Sequence, residues 1–483
     1  MQPLFTWTAI ASILMHAAIV GGLSLRVLAK RKPIGVSTSW IVLLISFPIF
    51  GAFMYVLVGE TWLSGRRTKR TALAARKLEG PIRALDKRFG AVLDDHHPAA
   101  EAIARIGRTT GMSAPLGGND IEILGNANAC FDRLLEDIES AERSCDLLYY
   151  IWFSAGRVHE VENALIRAHE RGVTCRVLVD AVGSKSFLRH DNAQRLRDAG
   201  VQVRASLPVN LLRASLHRVD IRNHRKLAVF DDKVAHIGSL NMADPKFFMK
   251  NEGFGQWVDL AARVTGPAAA TLGDLFEADW AMDTDDPFKS EINPKETDRT
   301  GTQIVQVVPS GPGQQPKALF HILSAAVFGA QRSLTLTTPY FIPDDAFVTG
   351  LIGAALRGVD VNVVVPAKVN GPLVRYASMA YYDDLIEAGV NVHLYDKGLL
   401  HAKTITVDDE IAIIGTVNID RRSFWLNYEL SLVVHGSEAT ESLRALQNQY
   451  IAQSTPLTES PWMRRSPVQK LAEQAAQLLS PIL

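Results

Sequence analysis

The chain opens on two long apolar runs that carry no Asp, Glu, Lys or Arg, residues 3–25 and 36–59. Each is long enough to cross a hydrocarbon core of ~30 Å as a helix of about 20 residues. Pro48 and Gly51 inside the second run predict a kink there. No charged leading stretch or small-residue cleavage site precedes the first run. Residues 1–61 therefore read as a membrane anchor of two transmembrane helices, not as a removed signal. Residues 62–120 change character: they are rich in Arg, poor in β-formers and helical in pattern. That is the pattern either of a basic connector whose side chains meet anionic head groups at a membrane surface or of a solvated helix face.

From residue 121 the apolar runs shorten and alternate with amphipathic stretches. DLLYYIWF, TCRVLVD and VQVRASL read as strands, and the segments between them as helices ending at Gly172 and Gly200. The same alternation returns after a polar stretch, residues 284–302, which reads as a linker. Strands alternating with helices predict an α/β fold whose mostly parallel or mixed sheets are covered on both faces. The expected parts are a first lobe at residues 121–283 and a second at residues 303–483. Residues 207–216, apolar and without clean period, read either as a lip dipping into a bilayer or as a buried connector.

Charge and cysteines narrow the class. Lys plus Arg and Asp plus Glu both number 51, a balance that argues against nucleic acid as a partner. Three cysteines with no C-x-x-C spacing, Cys130, Cys145 and Cys175, argue against a disulfide framework or a zinc site. Neither a metal nor an organic cofactor is expected.

The chemistry lies in a repeat. His224, Lys226 and Asp231 in HRKLAVFD recur as His401, Lys403 and Asp408 in HAKTITVD. The tails repeat as well, Gly238-Ser239-x-Asn241 and Gly415-Thr416-x-Asn418. The differences 401−224, 408−231, 415−238 and 418−241 are all 177, and the same offset sets Glu252 against Glu429. On a strand, residues i and i+2 face the same way, so each histidine points with its lysine. An ammonium beside an imidazole repels a cation and attracts an anion, of which a phosphate is the obvious case. If the halves pack about a pseudo-twofold axis, both pairs meet in one pocket. One imidazole then attacks phosphorus while the other, protonated, serves the leaving alcohol. Lys226, Lys403, Asn241 and Asn418 are expected to hold phosphate oxygens, with Ser239 and Thr416 beside the substrate. Asp231, Asp408, Glu252 and Glu429 are the candidates to orient the histidines, and the two glutamates also to touch substrate.

These paired motifs resemble the phospholipase D superfamily. The resemblance implies two α/β/α lobes related by a pseudo-twofold, preceded here by two transmembrane helices. It also implies a covalent phosphohistidine, with each motif aspartate pairing with the histidine of the opposite lobe. His224 is then the nucleophile and His401 the general acid and later base, although the near-symmetry leaves their order open. Within the superfamily, TSWIVLLISFPIFGAFMYVLVGE, RNHRK with GSLNMAD, TPYFIPDDAF, LHAK and NIDRRSFWLNYE resemble bacterial cardiolipin synthases. By the same resemblance Ser310-Gly311-Pro312 lines the pocket, while Asn370 stands where that family carries an aspartate.

The implied reaction is phosphatidyl transfer between two phosphatidylglycerol molecules. The alternative is a membrane-anchored phosphodiesterase of the same fold, a hydrolase or another phosphatidyltransferase. The expected partners are phosphatidylglycerol and membrane lipids, and a homodimer is compatible with the sequence. The expected place is the bacterial inner membrane, as a multi-pass protein. Arg66, Arg67, Lys69, Arg70, Arg76 and Lys77 after the second run outnumber Arg26, Lys30, Arg31 and Lys32 between the runs, which favours a cytoplasmic catalytic domain.

Overall fold

The computed structural model describes all residues except 1, 31–33, 61–64, 94–96, 210–217, 219, 285, 291, 314–316, 459–461, 463–464 and 479–483. Most of the expected lip at 207–216 lies outside the described residues. The chain forms two compact units. One comprises Met1–Gly65 with Val209–Ile221, the other Arg66–Pro208 with Arg222–Leu483.

In the first unit, the opening run forms one helix, Gln2–Ala29. Its stretch Ile10–Ala29 is the one helix among the described residues that is long and apolar enough to cross a membrane. The second run breaks where a kink was expected. Helix Ile34–Ser46 stops before Phe47, whose φ of −140° and ψ of 71° are not helical, and Pro48–Met54 starts again. Proline clashes with the residue before it in the helical region, so Phe47 is pushed out of it. A wider turn, Tyr55–Gly59, follows. Val27, Leu44 and Tyr55 form a small core. Glu60 is buried beside it, accepting from the Tyr55 hydroxyl at 2.7 Å and from Arg26 Nε at 2.8 Å. A carboxylate withdrawn from water needs such partners.

The second unit is built on one continuous sheet of fifteen strands. From its middle, the first half runs outward through Leu116–Leu124, Ala261–Thr265, Val234–Gly238, Leu227–Phe230, Ser144–Tyr149, Thr174–Asp180 and Gln202–Ser206. The second half runs the other way through Gln303–Ser310, Glu429–His435, Ile411–Gly415, Thr404–Val407, Ser333–Thr337, Asp360–Pro366, Asn391–Tyr395 and Ser454–Pro456. The halves join where Leu116–Leu124 pairs with Gln303–Ser310. The sheet is mixed and most of its pairs are antiparallel, so of the two expected forms, mostly parallel or mixed, the mixed one holds. Parallel pairing is confined to the outer strands of each half. The reason is connection length: tight turns join only antiparallel neighbours, whereas the parallel strands are those linked through helices.

The motif strands are buried on both faces. Leu227 and Val229 pack with Ala268, Leu272 and Phe276 of the helix Pro267–Asp283. Ala228 and Phe230 point the other way, into a cluster with Phe131, Leu134, Val161 and Leu165. The period of two thus feeds two cores, and helices cover both sides of the sheet. The helix Gly65–Phe89 turns several of its basic side chains onto protein. Arg67 pairs with Asp283 and donates to the Tyr428 hydroxyl, and Arg70 donates to the carbonyls of Met282 and Thr284. Lys77 donates to the carbonyl of Phe288. These cations were expected at lipid head groups, and their partners are instead the end of a core helix and the polar segment after it.

Candidate active site

Each motif histidine is held by the opposite half of the chain. The His224 N–H donates to the Tyr428 carbonyl at 2.9 Å, beside a parallel bridge between Asn223 and Tyr428. The His401 N–H donates to the Val258 carbonyl at 2.8 Å, next to parallel pairing of Leu399 and Leu400 with Trp257 and Val258. These short crossings set His224 Nδ1 at 2.9 Å from both oxygens of Glu429. They set His401 Nδ1 at 2.6 Å from Asp259 Oδ1. Behind each carboxylate stands a hydroxyl from the motif tail. Ser239 Oγ donates to Asp259 at 2.6 Å, and Thr416 Oγ1 donates to Glu429 at 2.5 Å. Each lysine folds back on its own histidine. Lys226 Nζ donates to the His224 carbonyl at 2.8 Å, and Lys403 Nζ to that of His401 at 2.6 Å.

All of these groups are buried, and burial governs their protonation. It pushes His224 down to about 4 against the pull of Glu429, with Lys226 and Lys403 adding to the fall. Burial and then Lys403 bring His401 down to about 3, with Lys226 contributing and Asp259 opposing. The ammonium of each half thus acts on the imidazole of the other. Lys226 is lowered by burial to about 8, and Lys403 falls well below the lysine range through burial and the charge of Lys226. Burial alone would raise Asp259 and Glu429. Their imidazole partners and the lysines hold both below the ordinary carboxylate value. The consistent state is two carboxylates, each accepting from the Nδ1–H of a neutral imidazole, whose Nε2 then carries a lone pair. An anion between the lysines offsets their charge and favours a proton on one imidazole.

The motif aspartates lie elsewhere, and this corrects the expected pairing with the opposite histidine. Asp231 and Asp408 sit in hairpin turns with φ of 54° and 49°, followed by Asp232 and Asp409, also at positive φ. Aspartate tolerates that region, which a tight hairpin of this type requires. Their carboxylates accept from three successive backbone N–H groups ahead of the neighbouring strand. For Asp231 these are Glu142, Arg143 and Ser144. For Asp408 they are Gln331, Arg332 and Ser333, with His97 Nε2 at 2.7 Å in addition. Both aspartates therefore fasten the hairpin to the sheet, and their contacts are with these backbone groups and, for Asp408, with His97, not with His224 or His401.

Glu252 is also corrected. It is exposed in a turn, and Asp259 occupies the position equivalent to Glu429. The offset changes from 177 to 429−259 = 170 because the first half carries seven more residues after its tail. Counting back from Gly266 and Gly436, each the residue before a helix, also gives 170 and was a usable signal. The asparagines differ too. Asn241 Oδ1 accepts from the Ile151 N–H, whereas Asn418 Oδ1 is buried without a hydrogen-bond partner among the described residues and can meet a ligand.

Three neighbours stand outside the duplicated positions. Tyr150 packs edge-on against His224 at 5.0 Å between ring centres, and Trp257 covers His401 at 4.3 Å. Arg225 is fully buried between His224 and Lys226. It pairs with Asp279 at 2.6 Å and donates to the carbonyls of Ser310 and Glu429, both at 3.0 Å. It therefore ties the first motif to the strand that carries the Glu429 carboxylate. Asn370 accepts from the Tyr340 hydroxyl at 2.8 Å.

Residues 134–280 and 323–450 match the family described as cardiolipin synthase, PLD-like domain. Cardiolipin synthase A of Pectobacterium carotovorum is 35% identical over 468 residues, covering 96% of each chain. The same enzyme of Proteus mirabilis is 34% identical over 487 residues, covering 100% of each. The crystal structure of phosphatidylserine synthase from Haemophilus influenzae superposes with a TM-score of 0.59 at 17% identity, over 79% of this chain and 100% of that one. The match over both halves, with relatives a third identical along nearly their whole length, establishes that this chain belongs to the cardiolipin synthase family of phospholipase D-like proteins.

Proposed function

We propose that this enzyme transfers a phosphatidyl group between two phosphatidylglycerol molecules, yielding cardiolipin and glycerol. The observation that carries this reading is the pair of histidine–carboxylate contacts crossing between the halves, with a buried lysine beside each imidazole. In the proposed course, His224 Nε2 attacks the phosphorus of the first lipid. The phosphorus–oxygen bond to glycerol breaks, and His401 gives its Nε2 proton to that oxygen. The head-group hydroxyl of a second phosphatidylglycerol then enters. His401 takes its proton, its oxygen bonds to phosphorus, and the phosphorus–nitrogen bond to His224 breaks. Lys226 and Lys403 stabilise the charge that builds on the phosphoryl oxygens. Glu429 and Asp259 fix the tautomers and stabilise each imidazolium in turn.

The repeated strand order supports reading the halves as lobes related by a pseudo-twofold. The two apolar runs support a multi-pass anchor in the bacterial inner membrane, with the catalytic part on the cytoplasmic side. A homodimer is compatible with this reading. The alternative is hydrolysis, in which water replaces the second lipid. Purified full-length protein given phosphatidylglycerol distinguishes them by mass spectrometry of the products. Cardiolipin and glycerol in equal amounts are expected. Phosphatidic acid without cardiolipin would overturn the transferase reading.

A further inference from the structure

Close to the histidines, one loop differs in length between the two halves. The motif asparagine and the histidine-orienting carboxylate are 259−241 = 18 residues apart in the first half and 429−418 = 11 in the second. The extra length forms a turn pinned at its base by Asp244, which is buried. Asp244 Oδ1 accepts from Lys246 N–H at 2.9 Å and Oδ2 from Arg157 N–H at 3.0 Å, while its carbonyl accepts from the N–H groups of Phe247 and Phe248.

The loop has two faces. Inward, Phe248 packs edge-on against Trp257 at 5.1 Å, and Trp257 lies on His401. Phe248 and Met249 join Trp257 in a small apolar cluster separate from the large cores. Outward, Phe247 leaves 46% of its surface in contact with solvent, and Lys246 and Lys250, one and three residues from it in sequence, are exposed as well. Glu252 is the one acidic side chain exposed in the same loop.

An aromatic ring flanked by two lysines suits the boundary between acyl chains and anionic head groups. The ring enters the apolar edge and the ammonium groups meet lipid phosphates. A bilayer lipid must also bring its phosphate to the histidines while its acyl chains stay out of water. We infer that this loop rests on the surface of an anionic bilayer and forms the rim over which the lipid reaches His401. This rests on the proposed function for the identity of the lipid, but the contact itself can be tested without turnover.

The full chain is placed in nanodiscs, and two substrate sources are compared: long-chain phosphatidylglycerol within the bilayer and short-chain phosphatidylglycerol dissolved in water. Phe247→Ser, which removes the apolar ring, should lower turnover of bilayer lipid about tenfold, and the double variant Lys246→Gln, Lys250→Gln about 25-fold, since each juxtamembrane lysine contributes about fivefold in binding. Turnover of dissolved lipid should stay within about twofold. Equal losses on both sources, or no loss on either, would overturn the inference. Cys130, Cys145 and Cys175 are buried, so a bimane group can be attached selectively to Phe247→Cys. Brominated acyl chains should quench it in anionic nanodiscs, and absence of quenching would overturn the bilayer contact. If wild-type chain makes no cardiolipin from either source, the transferase reading fails, and the bimane result still decides the loop.

Discussion

His401 Nδ1 stands 2.6 Å from Asp259 Oδ1 although 142 residues separate them in sequence. The contact exists because the strand pairing of Leu399–Leu400 with Trp257–Val258 carries the second motif onto the first half. Asp259→Asn keeps the shape but reverses the hydrogen-bond preference and favours the wrong tautomer. A fall in kcat of about two to four orders of magnitude is expected, with folding intact by circular dichroism. Glu252→Gln should leave kcat within about twofold, because its side chain is exposed.

Asp408 and Asp231 should report on stability more than on chemistry. Removing a carboxylate leaves backbone donors without an acceptor, at about 1–3 kcal/mol for each group kept from water. Asp408→Ala should lower Tm more than Asp231→Ala, since Asp408 is buried and also holds His97. Burial would raise Asp408, but the three backbone N–H groups and His97 hold it below the ordinary carboxylate value. A group depressed in the folded state stabilises fully above its unfolded value and loses that contribution as pH falls through its folded value. The Tm gap between wild type and Asp408→Ala should therefore shrink on acidification below about pH 4. A gap constant with pH would contradict the assignment.

Arg225 lies in a different energetic class. Its partner Asp279 is as deeply buried as the guanidinium itself. Arg225→Met strands a buried carboxylate and should cost about 3–5 kcal/mol in chemical denaturation. The double variant Arg225→Met, Asp279→Leu removes both charges and should recover most of that stability. It should not recover kcat, because the donations to the Ser310 and Glu429 carbonyls are still lost.

The pH profile follows from the buried lysine. Lys226 loses its proton near 8, below the usual lysine value, because burial disfavours the charged form. As pH rises through that value the site loses positive charge facing phosphate. The profile of kcat/KM, which reports the free enzyme, should decline above about pH 8. A profile flat to pH 10 would contradict a charged Lys226 role.

The legible part of the site was the part duplicated without a gap. His224, Lys226, His401 and Lys403 share one offset, so their pairing could be read from spacing alone, although the strands begin only after each lysine, at Leu227 and Thr404, and the expected strand geometry does not hold for the pairs themselves. The orienting carboxylates were half legible. Glu429 followed the offset, but the seven-residue extension in the first half moved Asp259 out of register and left Glu252 in its apparent place. The motif aspartates misled for a different reason. A turn aspartate at positive φ and an orienting aspartate have the same letter at the same spacing, and only backbone geometry separates them. Strand and helix alternation gave the α/β class. It could not show that Arg67, Arg70 and Lys77 turn inward to the end of a core helix and the segment after it.

The most direct test of the shared histidine pair is to trap the covalent intermediate. Full-length enzyme turning over phosphatidylglycerol is quenched in base, which spares phosphorus–nitrogen bonds, then digested and sequenced by tandem mass spectrometry. A phosphatidyl group on Nε2 of His224 is expected, absent from His224→Ala and accompanied by loss of cardiolipin formation in His401→Ala. Modification of a residue other than His224 or His401, or full cardiolipin formation by either histidine variant, would contradict a single site built from both halves.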